Sequence, residues 1–383
     1  MSSPNLLIVG ASTRAAAFSA LRAGLHPWCV DLFADVDLQR HCAVTRLTER
    51  YPEGFQRFIE SELPGPWMYT GGLENHPRFV RRMGQRRPLW GNSKDALSCC
   101  RDPRSVWSLL RSARWAGIPV PAVVDVVEKA AATRRWLLKP RRGTSGAGIR
   151  FWMTSENTQQ LRDTYLQEYI AGEPLALLFL GGLRSARLLG VTRQLIGLPW
   201  LHAAPFRYCG SIGPLRPSMI QRPSLEKLGQ LLASECFLTG LFGVDGVLRE
   251  GSFWPVEINP RYTASVEVLE YATGSPMLGW HAHVFTSQRL PPLPDLVAAR
   301  TIGKAILFAR DDLHFPADGP WMAELRSPNP VSDLPAFADI PAAGEFIEAG
   351  KPILTFFAAA DSTSACEDAL RQIAADLDRW LFP

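Results

Sequence analysis

Four groups of residues in this 383-residue chain have the types and spacing to handle a polyanion. The first is Lys139, which ends the apolar run Trp136-Leu137-Leu138. Lysine is scarce, at 94, 129, 139, 227, 304 and 351, against 35 arginines. An ammonium buried in such a run needs an anionic partner to offset its desolvation, and a phosphate oxygen would serve. The second is the loop Arg142-Gly143-Thr144-Ser145-Gly146-Ala147-Gly148. Its glycines and hydroxyls let backbone N–H groups close over phosphates. It is not a Walker loop, because no Gly-Lys-Thr/Ser follows. The third is Leu166-Gln167-Glu168-Tyr169-Ile170-Ala171-Gly172-Glu173. As an extended segment it offers backbone donors and acceptors to an adenine edge, with a carboxylate nearby for ribose hydroxyls. The fourth is Asp245 with Val256-Glu257-Ile258-Asn259-Pro260-Arg261. A period of two puts Glu257 and Asn259 on one face of a strand, and Asp245 on the preceding strand faces the same side. Two carboxylates and an amide oxygen are hard ligands suited to Mg²⁺, which also takes substrate phosphates. Arg261 beside them would neutralise a transferring phosphoryl group. Taken singly, each group also fits something ordinary: a strand-end lysine, a flexible hairpin loop, an edge strand, a solvated polar face.

The elements that position these groups follow from periodicity and punctuation. An apolar run at 5–10, a helix at 11–24 and a second apolar run at 28–32 spell βαβ, hence a parallel sheet. A strand at 67–70 leads into Gly71-Gly72-Leu73-Glu74-Asn75. The turns at 10–14 and 70–75 lie at carboxyl ends of strands, where open α/β sheets bind ligands. The first lacks a full GxGxxG, which disfavours a dinucleotide site. A helix over 102–116 ends at Gly117-Ile118-Pro119-Val120-Pro121. Strands follow at 136–140, 149–152 and 166–170, then strands broken by turns over 175–215. A helix over 224–241 precedes a hairpin of 242–248 and 253–258 around residues 249–252, followed by a short helix at 266–272. Pro291, Pro292 and Pro294 mark a linker. Beyond it come strands near 302–308 and 353–358 and an amphipathic helix over 364–381.

The ordered set of strand lysine, glycine loop, Gln-Glu-Tyr-Ile and Glu-x-Asn-Pro-Arg resembles the ATP-grasp superfamily, from about residue 101 to 274. The resemblance implies an α/β and α+β chain: an N-terminal parallel-sheet pre-ATP-grasp domain (1–100), then a two-subdomain ATP-grasp fold. Its small subdomain with the glycine-rich lid spans 101–172, and its large subdomain with the metal site spans 173–290. A small β-rich C-terminal α+β part, 291–383, is read as structural. The resemblance also implies roles. Lys139 contacts ATP phosphates under a lid that includes Gly143, Thr144, Ser145 and Gly146. Gln167, Glu168, Tyr169 and Ile170 hold adenine, and Glu173 holds ribose. Asp245, Glu257 and Asn259 bind Mg²⁺, with Mn²⁺ as the alternative ion. Arg261 steadies the γ-phosphate and an acyl-phosphate, and Arg104 is the candidate for a first basic ATP contact.

The implied reaction joins a small-molecule carboxylate to an amine through an acyl-phosphate, releasing ADP and phosphate. A branch of carboxylate–amine ligases fits the Gly10–Arg14, Thr70–Asn75 and Pro205–Gly210 segments. The second and third of these, with Arg207 as a carboxylate contact, are expected near the substrates. Alternatives are a bicarbonate-using carboxylase-type enzyme and a non-catalytic nucleotide-binding regulator.

Composition sets outer bounds. At 46% apolar and 20% charged residues, the chain can build sizeable cores and is not a disordered one. A formal charge of +4 does not call for nucleic acid. Seven scattered cysteines without a CxxC suggest free thiols in a reducing compartment. The first ten residues read as a strand, not a signal peptide, and no run nears the roughly 18 apolar residues of a membrane span. The expectation is a cytoplasmic enzyme, with no membrane or nucleic-acid partner and with a homodimer as the assembly allowed for.

Overall fold

The computed structural model describes residues 5–112, 118–124, 134–153, 163–215, 222–326 and 330–382. The N-terminal sheet is parallel, with order β3 (Ala43–Arg46), β2 (Pro27–Asp31), β1 (Leu6–Val9), β4 (Trp67–Tyr69). Every residue of β1 is buried, as a central parallel strand covered on both faces requires. The helix Arg14–Arg22 returns over the sheet and buries Ala16, Ala17, Phe18 and Ala20.

A small antiparallel sheet comes next, in the order β5 (Val123–Val124), β8 (Thr164–Glu168), β6 (Trp136–Pro140), β7 (Arg150–Phe151). The glycine loop joins β6 to β7. The helix expected over 102–116 starts at Pro103, whose missing N–H suits a first turn, and runs to Ser112; a separate helix, Lys94–Arg101, precedes it and ends where Pro103 cannot continue it. Residues 113–116 and Gly117 of that expectation lie outside the described residues.

The third sheet has eight strands. Its order is β13 (Ser252–Asn259), β12 (Gly240–Arg249), β9 (Glu173–Gly182), β10 (Ser185–Ile196), β11 (Tyr208–Gly213), β14 (Thr301–Phe308), β18 (Pro352–Ala360), β16 (Phe337–Ala338). A separate ladder pairs β15 (Leu313–His314) with β17 (Phe346–Ile347). Of the strands beyond the proline run, β14, β16 and β18 therefore extend the large sheet. β14 pairs with β11 from Gly210↔Ala305 to Gly213↔Ile302. Ala16, Phe18, Leu178, Leu241, Leu269 and Leu278 belong to one core, in which the N-terminal helix packs on the helices Ala264–Thr273 and Met277–Ser287 that cover the large sheet.

The helix read over 224–241 ends at Glu235. Phe237 and Gly240 take φ of +56° and +72°, and a Cβ on Gly240 would come within 2.5 Å of His281. That close approach turns the chain into β12 instead. Cys99 and Cys236 are paired, with Cα atoms 5.7 Å apart, which corrects the expectation of free thiols throughout. The other five cysteines are free and buried. Among the described residues no helix is long and apolar enough to cross a membrane.

Candidate functional site

A cleft of about 780 Å³ opens between the small sheet and the large sheet. Its small-sheet wall comes from β6, β8 and the glycine loop. Its floor crosses β12, β13, β10, β11 and β14.

Lys139 is buried at the end of β6. Its Nζ donates to Gln167 Oε1 at 3.0 Å and to the Val256 carbonyl at 3.3 Å. Gln167 Nε2 donates to the same carbonyl at 3.2 Å, so this pair bridges the two sheets. The Gln167 amide is thus committed to Lys139 and β13, while the residue still lines the cleft. Glu168 accepts from the Ala122 amide at 3.0 Å and from Arg134 at 2.5 Å. Tyr169, Phe151 and Phe206 form an edge-to-face aromatic wall, with centroids 5.0 and 5.4 Å apart.

The glycine loop is seated on the large sheet. The Ser145 carbonyl accepts from the Tyr208 amide at 3.2 Å. Gly146 has φ +76°, and a Cβ there would lie 1.8 Å from the Phe206 carbonyl oxygen, so only glycine fits. At the loop base, the Gly143 carbonyl accepts from Arg101 at 3.0 Å and from Asn75 at 3.4 Å.

On the floor, Asp245 and Glu257 are register partners across β12 and β13. Asn259 Nδ2 donates to Asp245 Oδ2 at 2.8 Å. Burial, and next the like charge of Glu257, push the Asp245 carboxyl up to about 7. Burial alone would raise Glu257 too; Arg101 and then Lys139 outweigh it and hold that carboxyl below its ordinary value. Like charges directly opposite on a sheet repel unless a cation lies near. Two carboxylates and an amide oxygen in this arrangement fit a hard divalent ion that keeps waters and takes phosphate oxygens. Arg261 follows: its Nε donates to Glu74 Oε1 at 2.8 Å and its Nη2 to Asn259 Oδ1 at 3.3 Å.

Lys139, Thr144, Ser145, Gly146, Gln167, Glu168, Tyr169, Ile170, Asp245, Glu257, Asn259 and Arg261 all line this cleft. Gly143 lines the narrow gap next to it, with Arg101 and Glu257. Glu173 does not line the cleft, although its neighbours Gly172 and Pro174 do; strand alternation turns it away. Arg104 is exposed on the helix Pro103–Ser112 and is also outside the cleft. The basic residue that reaches the site is Arg101. It donates to Glu257 Oε1 and Asn75 Oδ1, each at 2.7 Å. Sequence reasoning also missed Glu74 as the partner of Arg261, although it had marked the Thr70–Asn75 turn. Arg207 points away from the cleft, its guanidinium 5.9 Å from the Phe308 ring centre.

Residues 105–265 match the family model described as an ATP-grasp domain. The fold is similar to that of an L-amino acid ligase from Bacillus licheniformis, with TM-score 0.69 and 16% identity over 98% of this chain and 97% of that one. It is similar to an N5-carboxyaminoimidazole ribonucleotide synthetase from Thermus thermophilus, with TM-score 0.66 and 17% identity over 99% of both chains. It is also similar to a biotin carboxylase from Campylobacter jejuni, with TM-score 0.68 and 15% identity over 97% and 90%. Among curated proteins none matches by sequence.

Proposed function

We propose that this chain, a member of the ATP-grasp superfamily, is an enzyme that joins a small-molecule carboxylate to an amine through an acyl-phosphate. The observation that carries this reading is one cleft into which Lys139, the seated glycine loop and the Asp245–Glu257–Asn259–Arg261 group all face. ATP and Mg²⁺ are the cofactors that this donor set fits.

Lys139 and Arg101 meet the phosphates from two sides, and the loop amides at 143–148 cover them. Tyr169, Ile170 and Phe151 provide the apolar wall for the adenine. Asp245, Glu257 and Asn259 would hold Mg²⁺, and the chemistry it would supply is charge neutralisation at the phosphates. Arg261, fixed by Glu74, faces the place where charge accumulates on the transferring group. Nothing in this arrangement calls for a protein nucleophile: positioning and charge neutralisation carry phosphoryl transfer. The four-part division at residues 100, 172 and 290, a cytoplasmic location and a homodimer are parts of the same proposal.

The test is a screen of carboxylate and amine pairs, with nucleotide products separated by chromatography. ADP and phosphate formed only when both substrates are present is the expected result. AMP and pyrophosphate would rule out the acyl-phosphate route. ADP release driven by bicarbonate in place of an organic acid would favour a carboxylase-type reaction.

A further inference from the structure

The cleft is not uniform along its length. Its charged lining residues are Lys139, Glu168, Asp245, Glu257 and Arg261. They lie toward the small sheet and β12–β13. Past Asp245 the floor continues across β10 and β11 to Ile306 on β14, and the character changes. This end is formed by Ile196, Gly197, Pro205, Phe206, Tyr208 and Ile306. Among the described residues that line it, none carries a charge.

The charged groups nearby are engaged elsewhere. Lys304, two residues from Ile306, gives its ammonium to Glu267 at 2.7 Å. Arg207 lies over Phe308. Arg193 is ion-paired with Glu367. The Tyr208 hydroxyl is satisfied by Ser211 at 2.9 Å, which leaves its ring for the cleft. The loop tip at Ser145–Gly146 touches Phe206 and Tyr208, so this end is roofed.

We infer that this uncharged end is a substrate subsite that takes an apolar group, aliphatic or aromatic, of the acid or of the amine. The inference rests on the ligase reading above for what enters the cleft. Its physical basis is that an ionised group entering here would lose its water and find no counter-ion, whereas an apolar group loses nothing by desolvation. Its neighbour Gln194 and the start of the helix at Ser265, both lining the cleft, offer only neutral hydrogen bonds to the reacting end of that substrate.

The experiment is calorimetric titration of the whole chain loaded with Mg²⁺ and a non-hydrolysable ATP analogue. The probes are two matched pairs: 3-phenylpropionate against succinate, and 2-phenylethylamine against 1,4-diaminobutane. The phenyl member of one pair should bind at least about tenfold more tightly than its charged counterpart. The pair that shows the preference identifies which substrate carries the apolar group. Ile306→Asn and, as a second variant, Ile196→Asn should each cut the preference to less than about threefold. Affinity for the nucleotide analogue reports that each variant is folded. Equal binding within both pairs, binding of neither phenyl probe, or a preference that both variants leave intact would overturn the inference. Turnover is scored separately: a phenyl preference without ADP release from any pair refutes the ligase reading and leaves the subsite standing.

Discussion

Two ion-pair networks tie the N-terminal domain to the rest of the chain, built from the same chemistry under different burial. In the first, Arg14 donates to Glu267 at 2.5 and 3.0 Å and to Asp339 at 2.9 Å, and Lys304 completes the Glu267 carboxylate. The side chains of Arg14 and Glu267 are fully enclosed. In the second, Glu74 holds Arg261, and Asn75 joins Glu257 through Arg101. There Arg101 and Arg261 keep 15% exposure and Glu257 keeps 33%, toward the cleft. A sealed network has no vacancy for a ligand and acts as a joint between elements. A network open on one side can exchange a protein partner for a phosphate or a metal ion. Burial, more than residue type, separates structure from function here.

The sharpest way to break the comparison is to cut the sealed network. Arg14→Met keeps volume and leaves the enclosed Glu267 with Lys304 as its one remaining cation among the partners named. Stability should fall by about 3–5 kcal/mol, read from urea unfolding, because one partner of a buried ion pair is removed. An equally large loss from Arg101→Met would erase the distinction between the networks.

The next effect is on chemistry. Glu257→Gln should lower turnover by about a hundredfold, as loss of a preorganised charge contact does. Its metal-free unfolding temperature should stay within a few degrees of the parent, and the added stabilisation from Mg·ATP should shrink. Thermal unfolding with and without Mg·ATP reads both, and a variant that unfolds early yet binds Mg·ATP normally would move Glu257 to the structural side.

Glu74→Gln should be milder. It leaves Arg261 charged but less firmly aimed, so kcat should drop about tenfold while the KM for ATP changes less than about threefold. Partial recovery in Glu74→Asp would separate aiming from folding.

The smallest effect is on pH dependence. Asp245 titrates near 7 in the folded, metal-free chain, above its ordinary value near 4. Between these values the folded state holds a proton that the unfolded state has lost. Its contribution is therefore full below about pH 4 and is lost as pH rises toward 7. Mg²⁺ needs the ionised carboxylate, so the Mg²⁺ concentration for half-maximal activity should rise about fivefold from pH 7 to pH 6 and level off above 7. A flat Mg²⁺ requirement across that range would remove Asp245 from the metal site.

What the sequence made legible was local. Lys139, the glycine loop, and the Glu257–Asn259–Arg261 spacing are read from a few adjacent residues, and they meet in one cleft. Contacts made across long stretches of chain were not legible. Arg101 finds Glu257 156 residues away and Arg261 finds Glu74 187 away, and no local pattern marks either. Cys99 and Cys236, 137 apart, were hidden for the same reason. Arg104 drew attention as the basic residue that the resemblance places before the Gly-Ile-Pro-x-Pro turn, but on its helix it is exposed, and Arg101, at the end of the preceding helix, is the residue that faces inward. The part after the proline run reads as a small, structural β-rich region, and a sequence does not announce that β14 will pair with β11.

That pairing bears on synthesis as well as on shape. As the chain emerges from the ribosome, the segment 105–265 is complete long before β14 exists. Until then β11 presents the row Tyr208–Gly213 with unpaired amides and carbonyls, next to a floor that is mostly apolar. An open edge of this kind recruits other strands. The matched segment by itself therefore carries an open sheet edge. Expressed alone, it should aggregate, and the edge should be quenched only when residues 301–308 arrive to close it.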